Sequence, residues 1–197
     1  MIDYKPSFQI TQNKRSKLMG HFPKVIWFTG ISGSGKSTLA NLLDIELYKK
    51  NIHTYTLDGD HLRNGLNKDL GFGDSDRSEN IRRAAEVAKL MSEAGLVVIC
   101  SFISPFELDR KMAREIIGNA QFVEIFLDCP LKECIERDPK GLYKKALNGD
   151  IKNFTGIDSP YEKPESSELI LRTDQLTQEE CIERIIQSIS DIYEPAE

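Results

Sequence analysis

Residues 24–37 read KVIWFTGISGSGKS, and this stretch decides the fold. Its first six residues, Lys24–Thr29, form an apolar run rich in β-branched and aromatic side chains, as a strand requires. Gly30-Ile31-Ser32-Gly33-Ser34-Gly35-Lys36-Ser37 then matches G-x-x-x-x-G-K-[ST], a phosphate-binding loop. Glycines let consecutive backbone N–H groups turn inward into a concave anion site, where a Cβ would clash. A helix beginning at about Lys36 points its positive dipole end at the anion. Leu39, Ala40, Leu43 and Leu47 supply the apolar stripe that predicts this helix. Gly30, Ser32, Gly33, Ser34, Gly35, Lys36, Ser37 and Thr38 are therefore the expected holders of a nucleoside triphosphate. Lys36 would set a cation at the β- and γ-phosphates, and the Ser37 hydroxyl is the expected Mg²⁺ ligand.

Outward from the loop, strand and helix patterns alternate. His53–Leu57 (HTYTL) reads as a short strand ending in Asp58-Gly59-Asp60, and residues 61–79 are charged and loop-rich. Residues 80–94 carry Ile81, Ala84, Ala85, Ala88 and Met91 on one helical face, with Asn80 or Ser78 as cap and Gly95 as stop. Leu96–Ile103 (LVVICSFI) is the near-continuous apolar run of a parallel strand buried on both faces. Pro105 opens a helix to about Ile117, Phe122–Leu127 is a fourth strand and Leu131–Arg137 a short helix. Leu169–Arg172 reads as a last strand, and residues 177–191 as a last helix with Cys181, Ile185, Ile186 and Ile189 inward.

This alternation predicts an α/β, three-layer P-loop NTPase fold, with a central parallel β-sheet of about five strands and helices on both faces. Residues 1–22, polar and irregular, read as an N-terminal extension to a single domain over 23–197. Residues 138–166 are rich in Lys, Gly and Pro, and are too long for an ordinary connection, which predicts a functional lid. Ligands of such sheets lie at the carboxyl ends of the strands. The phosphate loop, Asp58-Gly59-Asp60 and Ser101–Ser104 should therefore converge on one cleft.

Composition narrows the partners. A chain of 197 residues with 40% hydrophobic and 29% charged residues suits one soluble domain. A net charge of −5 and a pI near 5.4 provide no basic field for nucleic acid or an anionic membrane. No apolar run approaches the roughly 20 residues of a membrane span, and the N-terminus lacks a secretory layout. Cys100, Cys129, Cys134 and Cys181 form no C-x-x-C pair, as expected of reduced thiols in a cytoplasmic protein. His21, His53 and His61 are scattered and suggest no metal site.

A phosphate cradle does not by itself separate a kinase from a motor or a switch GTPase. The guanine-reading N-K-x-D pattern is absent from the sequence. Asp58 and Asp60 end the second strand, where a carboxylate can take a proton from an attacking hydroxyl or hold a water on Mg²⁺. Arg63, Arg77, Arg82 and Arg83 follow, and the arginine fork suits phosphate, sulfate and carboxylate. Arg82 and Arg83 are adjacent on a helix, about 100° apart, and are not expected to face one ligand.

Seven collinear segments carry a family resemblance: WFTGISGSGKST (27–38), LDGDHLRNGL (57–66), DLGF (69–72), DRSENIRRAAEVA (76–88), SFISP (101–105), RDPKGLYKKA (137–146) and FTGIDSPYE (154–162). The chain resembles the adenylylsulfate kinase (APS kinase) family, which phosphorylates adenosine 5′-phosphosulfate on its ribose 3′-hydroxyl. The resemblance implies ATP and Mg²⁺ as cosubstrates, ADP and 3′-phosphoadenosine 5′-phosphosulfate (PAPS) as products, and a homodimer. By position, Asp60 matches the family's catalytic carboxylate, with Asp58 beside it. Arg63, Phe72, Arg77 and Asn80 match residues that hold the sulfonucleotide, and Ile103 matches a wall of its pocket. Lys140, Leu142 and Phe154 lie in the matching lid, where Phe154 could stack on a substrate adenine. Arg137 sits where that lid meets the ATP base. Ser104 matches a serine sometimes assigned as a phosphoserine intermediate. In-line transfer needs no covalent step, so hydrogen bonding to substrate or ending the strand are equal readings of it. Gly73, Glu107 and residues 165–168 (ESSE) depart from the family pattern. They leave a related kinase acting on another nucleotide hydroxyl as the alternative. Intact Lys36, Ser37, Asp58 and Asp60 argue against a non-catalytic module.

Overall fold

A computed structural model describes residues 9–193. Its strands are β1 (Val25–Thr29), β2 (Thr54–Asp58), β3 (Val97–Ser101), β4 (Phe122–Leu127) and β5 (Leu169–Leu171). Its helices are α1 (Gln12–Met19), α2 (Lys36–Lys49), α3 (Gly59–Arg63), α4 (Asp74–Glu93), α5 (Glu107–Ile117), α6 (Leu131–Arg137), α7 (Leu142–Leu147) and α8 (Gln178–Ser188). All strand pairs are parallel, in the order β2-β3-β1-β4-β5. The phosphate-loop strand is therefore central, and all five of its residues are buried.

Period-two alternation divides the core between the two faces of the sheet. Val25 and Trp27 pack with Ile81, Ala84, Ala85 and Ala88 of α4 and with Ala113 and Ile117 of α5. The alanines hold α4 close to the sheet. Ile26 and Phe28 pack on the other face with Leu39, Leu43 and Leu47 of α2 and with Ile182 and Ile185 of α8. Helix α8 starts on a capping box: the Glu180 amide donates to Thr177 Oγ1 at 3.2 Å, and the Thr177 amide donates to Glu180 Oε2 at 2.8 Å. A 3₁₀ turn over Ser190–Tyr193 follows α8 and buries Ile192.

The structure departs from the sequence reading in four places. Residues 12–19, expected to be irregular, form α1. Thr11 caps it, Gly20 ends it in the left-handed region, and it docks through polar groups. Gln12 Nε2 donates to the Ser92 carbonyl at 3.1 Å, and Gln121 Nε2 donates to Gln12 Oε1 at 2.8 Å. Docking by amides leaves no apolar periodicity to detect. Because Ser92 and Gln121 lie just before β3 and β4, α1 closes the amino ends of the strands, away from the expected cleft. Helix α4 begins at Asp74, capped by Gly73, instead of near residue 80. Its first two turns are polar but carry Asp74 and Asp76 at the positive end of the helix dipole. Short helices α3 and α7 occupy stretches expected to be loop. Finally, Arg82 and Arg83 do converge on one group. Arg82 Nε lies 2.7 Å and Arg83 Nε 2.8 Å from the Glu79 carboxylate, because i,i+3 and i,i+4 spacing and long side chains overcome the angle between their Cβ bonds.

Leu43, on the sheet-facing side of the phosphate loop's helix α2, is fully buried. Leu43→Ala should lower unfolding free energy by about 2–5 kcal/mol, read as a reduced urea midpoint at unchanged slope.

Candidate active site

The carboxyl end of β1 runs into the phosphate loop, where two glycines are sterically required. Gly30 has φ 151, and a Cβ there would lie 2.8 Å from Ser34 Oγ and 2.9 Å from the Leu127 carbonyl. Gly33 has φ 76, and a Cβ there would lie 2.9 Å from the Cys134 carbonyl. The loop's own carbonyls are engaged from outside: Tyr143 Oη donates to the Ser32 carbonyl at 2.9 Å, and Thr173 Oγ1 to the Ser34 carbonyl at 3.0 Å. Gly35 is the N-cap of α2 and brings no side-chain cap, so the helix start remains open to an anion. Lys36 is buried, its Nζ donating to the Gly30 and Ile31 carbonyls at 2.9 and 2.8 Å. Burial lowers its pKa to about 8, against the upward pull of Cys134, Asp58 and Asp60.

Asp58 closes β2 and does two things. Its Oδ1 accepts the Asp60 amide at 3.0 Å, capping α3, and its Oδ2 accepts the Ser37 hydroxyl at 2.8 Å. That second bond ties the end of β2 to the start of α2. Asp60, in the first turn of α3, has a side chain 70% exposed at the cleft mouth, and it is ion-paired with Lys140. Its carboxylate raises the pKa of that lysine.

Two arginines shape the far end. Arg63 lies over the Phe72 ring at 4.4 Å and donates to the Gly71 carbonyl at 2.7 Å. Arg77 donates to the Phe72 carbonyl at 2.9 Å, to Thr155 Oγ1 at 2.7 Å and to the Asn153 carbonyl. Burial, then the neighbouring Arg77 charge, lowers the pKa of Arg63, as two cations sharing one recess require. Asn80 is buried and accepts a hydrogen bond from Asn67 Nδ2 at 3.0 Å. Phe154 meets Tyr143 edge-on at 5.0 Å. Arg137 pairs with Glu133 at 3.0 Å and donates to the Thr173 carbonyl at 2.8 Å.

The predicted site residues, Ile103, Ser104 and Leu142 among them, come together with Asn153, Thr155 and Thr173 along one cleft of about 1090 Å³. That exceeds the ~300–1,000 Å³ of a pocket for one small ligand. Of the sequence-predicted residues only Gly30 is absent from the lining; it lies beneath the loop and supplies a carbonyl to Lys36. Gly73 and Glu107, two of the departures from the family pattern, also lie outside the lining. Glu107 pairs instead with Arg110 and Lys111.

Ser104 is buried, with φ 38, and its hydroxyl is committed. It accepts from Trp27 Nε1 at 3.2 Å and donates to Thr29 Oγ1 at 2.9 Å. Thr29 Oγ1 also shares a 2.8 Å hydrogen bond with Tyr161 Oη. The Ser104 carbonyl accepts from Arg110 at 2.7 Å, and Arg110 also donates to the Glu162 carbonyl at 2.8 Å. Arg110 is itself buried against Glu124 at 2.9 Å. Sequence reasoning missed this cluster, which fastens the end of the 138–166 segment to β1. It also missed Thr155, Asn153 and Thr173. Thr173 was within reach, since it follows β5 at the carboxyl edge of the sheet. Arg110 and Tyr161 left no signal, because Glu162 and Thr29, the partners through which they fasten the segment, lie 52 and 132 positions away.

A family model described as Adenylylsulphate kinase matches residues 22–172. An adenylyl-sulfate kinase of Clostridium acetobutylicum is 55% identical over 179 residues, 91% of this chain and 89% of that protein. The bifunctional enzyme NodQ of Rhizobium sp. (strain N33) is 54% identical over 191 residues; these are 96% of this chain but 30% of that protein, so the chain spans under a third of that relative's length. Among solved structures, the Mycobacterium tuberculosis APS kinase CysC in complex with AMPPNP and APS aligns with TM-score 0.83 and 46% identity, covering 86% of this chain and 98% of that one.

Lys36 yields a proton-linkage test. With its pKa near 8 in this cleft, an adjacent triphosphate favours the ammonium form and draws a proton. At pH 8.5, ATP binding should take up ~0.5–1 proton, and affinity should weaken as pH rises above 8. Calorimetry in buffers of different ionisation enthalpy measures this; zero uptake would mean that the lysine is already fully charged.

Proposed function

The chain belongs to the adenylylsulphate kinase family, and we propose that it transfers the γ-phosphoryl group of ATP to the ribose 3′-hydroxyl of adenosine 5′-phosphosulfate, giving PAPS and ADP for sulfate assimilation. One observation carries this reading: a single cleft has an anion cradle at one end, a two-arginine recess at the other and the Asp60 carboxylate between them. In this reading the loop amides and Lys36 hold the β- and γ-phosphates. Arg63 and Arg77 hold the phosphosulfate, and Phe72 and Phe154 flank the acceptor adenine, while Arg137 lies against the ATP base. Asp60 accepts the proton of the 3′-hydroxyl as the oxygen approaches phosphorus in line, and Lys140 holds that carboxylate in place. Residues 138–166 act as the lid of the 23–197 kinase domain and exclude water, which limits hydrolysis.

Mg²⁺ suits the donors present. Ser37 Oγ and the Asp58 carboxylate are hard oxygen groups 2.8 Å apart. Among the described residues no group of three or more His, Cys, Asp or Glu could cage a metal, so the ion would be shared with substrate phosphates. Bound there, Mg²⁺ would supply charge neutralisation at the β- and γ-oxygens. The four cysteines are free and buried, which supports a reducing, cytoplasmic setting. Among the described residues no helix is long and apolar enough to cross a membrane. A homodimer rests on the family resemblance.

An ADP-release assay with ATP, Mg²⁺ and adenosine 5′-phosphosulfate tests the reaction, run beside other nucleotides that carry a free 3′-hydroxyl. Preference for one of those acceptors would replace the proposed substrate. Asp60→Ala should reduce turnover by about 10²-fold or more with an unchanged melting curve; near-normal turnover would remove Asp60 from the mechanism. Because the Ser104 hydroxyl is committed to Trp27 and Thr29, peptide mapping after incubation with ATP should find no phosphate on Ser104, and its detection during turnover would restore the covalent route.

A further inference from the structure

Ser101 is the last residue of β3, the strand between β1 and β2, and it stands in register with Asp58. It is buried, lines the cleft, and has its Oγ 3.4 Å from Ser37 Oγ. The polarity of this contact follows from counting protons. Ser37 has a single hydroxyl proton, and that proton is given to Asp58 Oδ2 at 2.8 Å. The proton between the two serines is therefore the one on Ser101. Ser37 Oγ thus accepts from Ser101, donates to Asp58, and keeps one of its two lone pairs unengaged. The Ser37 hydroxyl thus has a partner on each of two adjacent strands, Asp58 on β2 and Ser101 on β3.

We propose that Ser101 is a positioning residue for the divalent-cation site, orienting the Ser37 hydroxyl so that its remaining lone pair meets the cation that accompanies the nucleotide. In many phosphate-loop enzymes the loop Ser/Thr shares its cation with a strand-borne aspartate. In this chain the strand next to β1 ends in a hydroxyl, and the carboxylate arrives from β2, one strand farther out. The work of one acidic residue is divided: Asp58 accepts the Ser37 hydrogen bond and so strengthens the lone pairs on that oxygen, and Ser101 fixes its direction. Partners of this kind typically contribute 10–100-fold to metal affinity.

The inference rests on the cation use proposed above but not on the identity of the acceptor, so its test omits the sulfonucleotide. Mn²⁺ is titrated into the ADP complex and free Mn²⁺ is followed by electron paramagnetic resonance. Ser101→Ala should weaken Mn²⁺ binding by about tenfold or more while leaving metal-free ADP affinity unchanged. In a Ser37→Ala background the same substitution should change Mn²⁺ affinity by less than about twofold, because Ser101 acts through Ser37. Unchanged Mn²⁺ affinity in Ser101→Ala overturns the proposal. So does an equal loss of metal-free ADP binding, which a merely structural role would produce, or additivity with Ser37→Ala. A wild-type protein that binds Mn²⁺–ADP as expected but ignores adenosine 5′-phosphosulfate would sink the proposed function alone.

Discussion

A buried ammonium organises this molecule. Lys36 is nearly enclosed, and an unpaired charge taken out of water costs several kcal/mol. The phosphate loop compensates with its own backbone, giving Lys36 the carbonyls of Gly30 and Ile31. That arrangement is possible only because Gly30 and Gly33 adopt backbone angles that bring the chain against Leu127 and Cys134. The central position of β1, buried on every residue, then holds the loop where the carboxyl ends of its neighbours converge.

From that centre, contacts run outward to neighbouring strand ends. Ser37 reaches Asp58 on β2, Thr173 beyond β5 reaches the loop at Ser34, and Phe28 and Ser101 are partners in the sheet. The register that packs the core therefore also sets the spacing of the reactive groups. A slip of one residue between β2 and β3 would turn Asp58 to the other face and remove it from Ser37.

The 138–166 segment is tethered more firmly than its composition suggests. Its far end is fastened by the buried Arg110, which joins the Glu162 carbonyl to the Ser104 turn, and by Tyr161 on Thr29. Its near end reaches across the cleft through Lys140 to Asp60, an exposed pair that is screened by solvent. The contrast is physical: a desolvated charge cluster makes a fixed root, whereas a solvent-exposed ion pair makes a contact that can be exchanged.

Local chemistry was enough for some conclusions. The GISGSGKS spacing, the β-branched runs and the Asp58–Asp60 pair specified a phosphate cradle, a parallel sheet and an acidic strand end, because glycine geometry and side-chain alternation act over a few residues. Other features were beyond such reading. Helix α1 docks through Gln12 without an apolar stripe, and the first turns of α4 are polar, with Asp74 and Asp76 at the positive end of the helix dipole. Arg82 and Arg83 meet on Glu79 through side-chain reach that a helical wheel ignores. Above all, tertiary structure alone decided that Arg77 would grip Asn153 and Thr155, that Arg110 would reach the Glu162 carbonyl, and that Ser101 would touch Ser37. Those contacts join residues tens of positions apart, and only the packing of helices on the sheet brings them within hydrogen-bond distance.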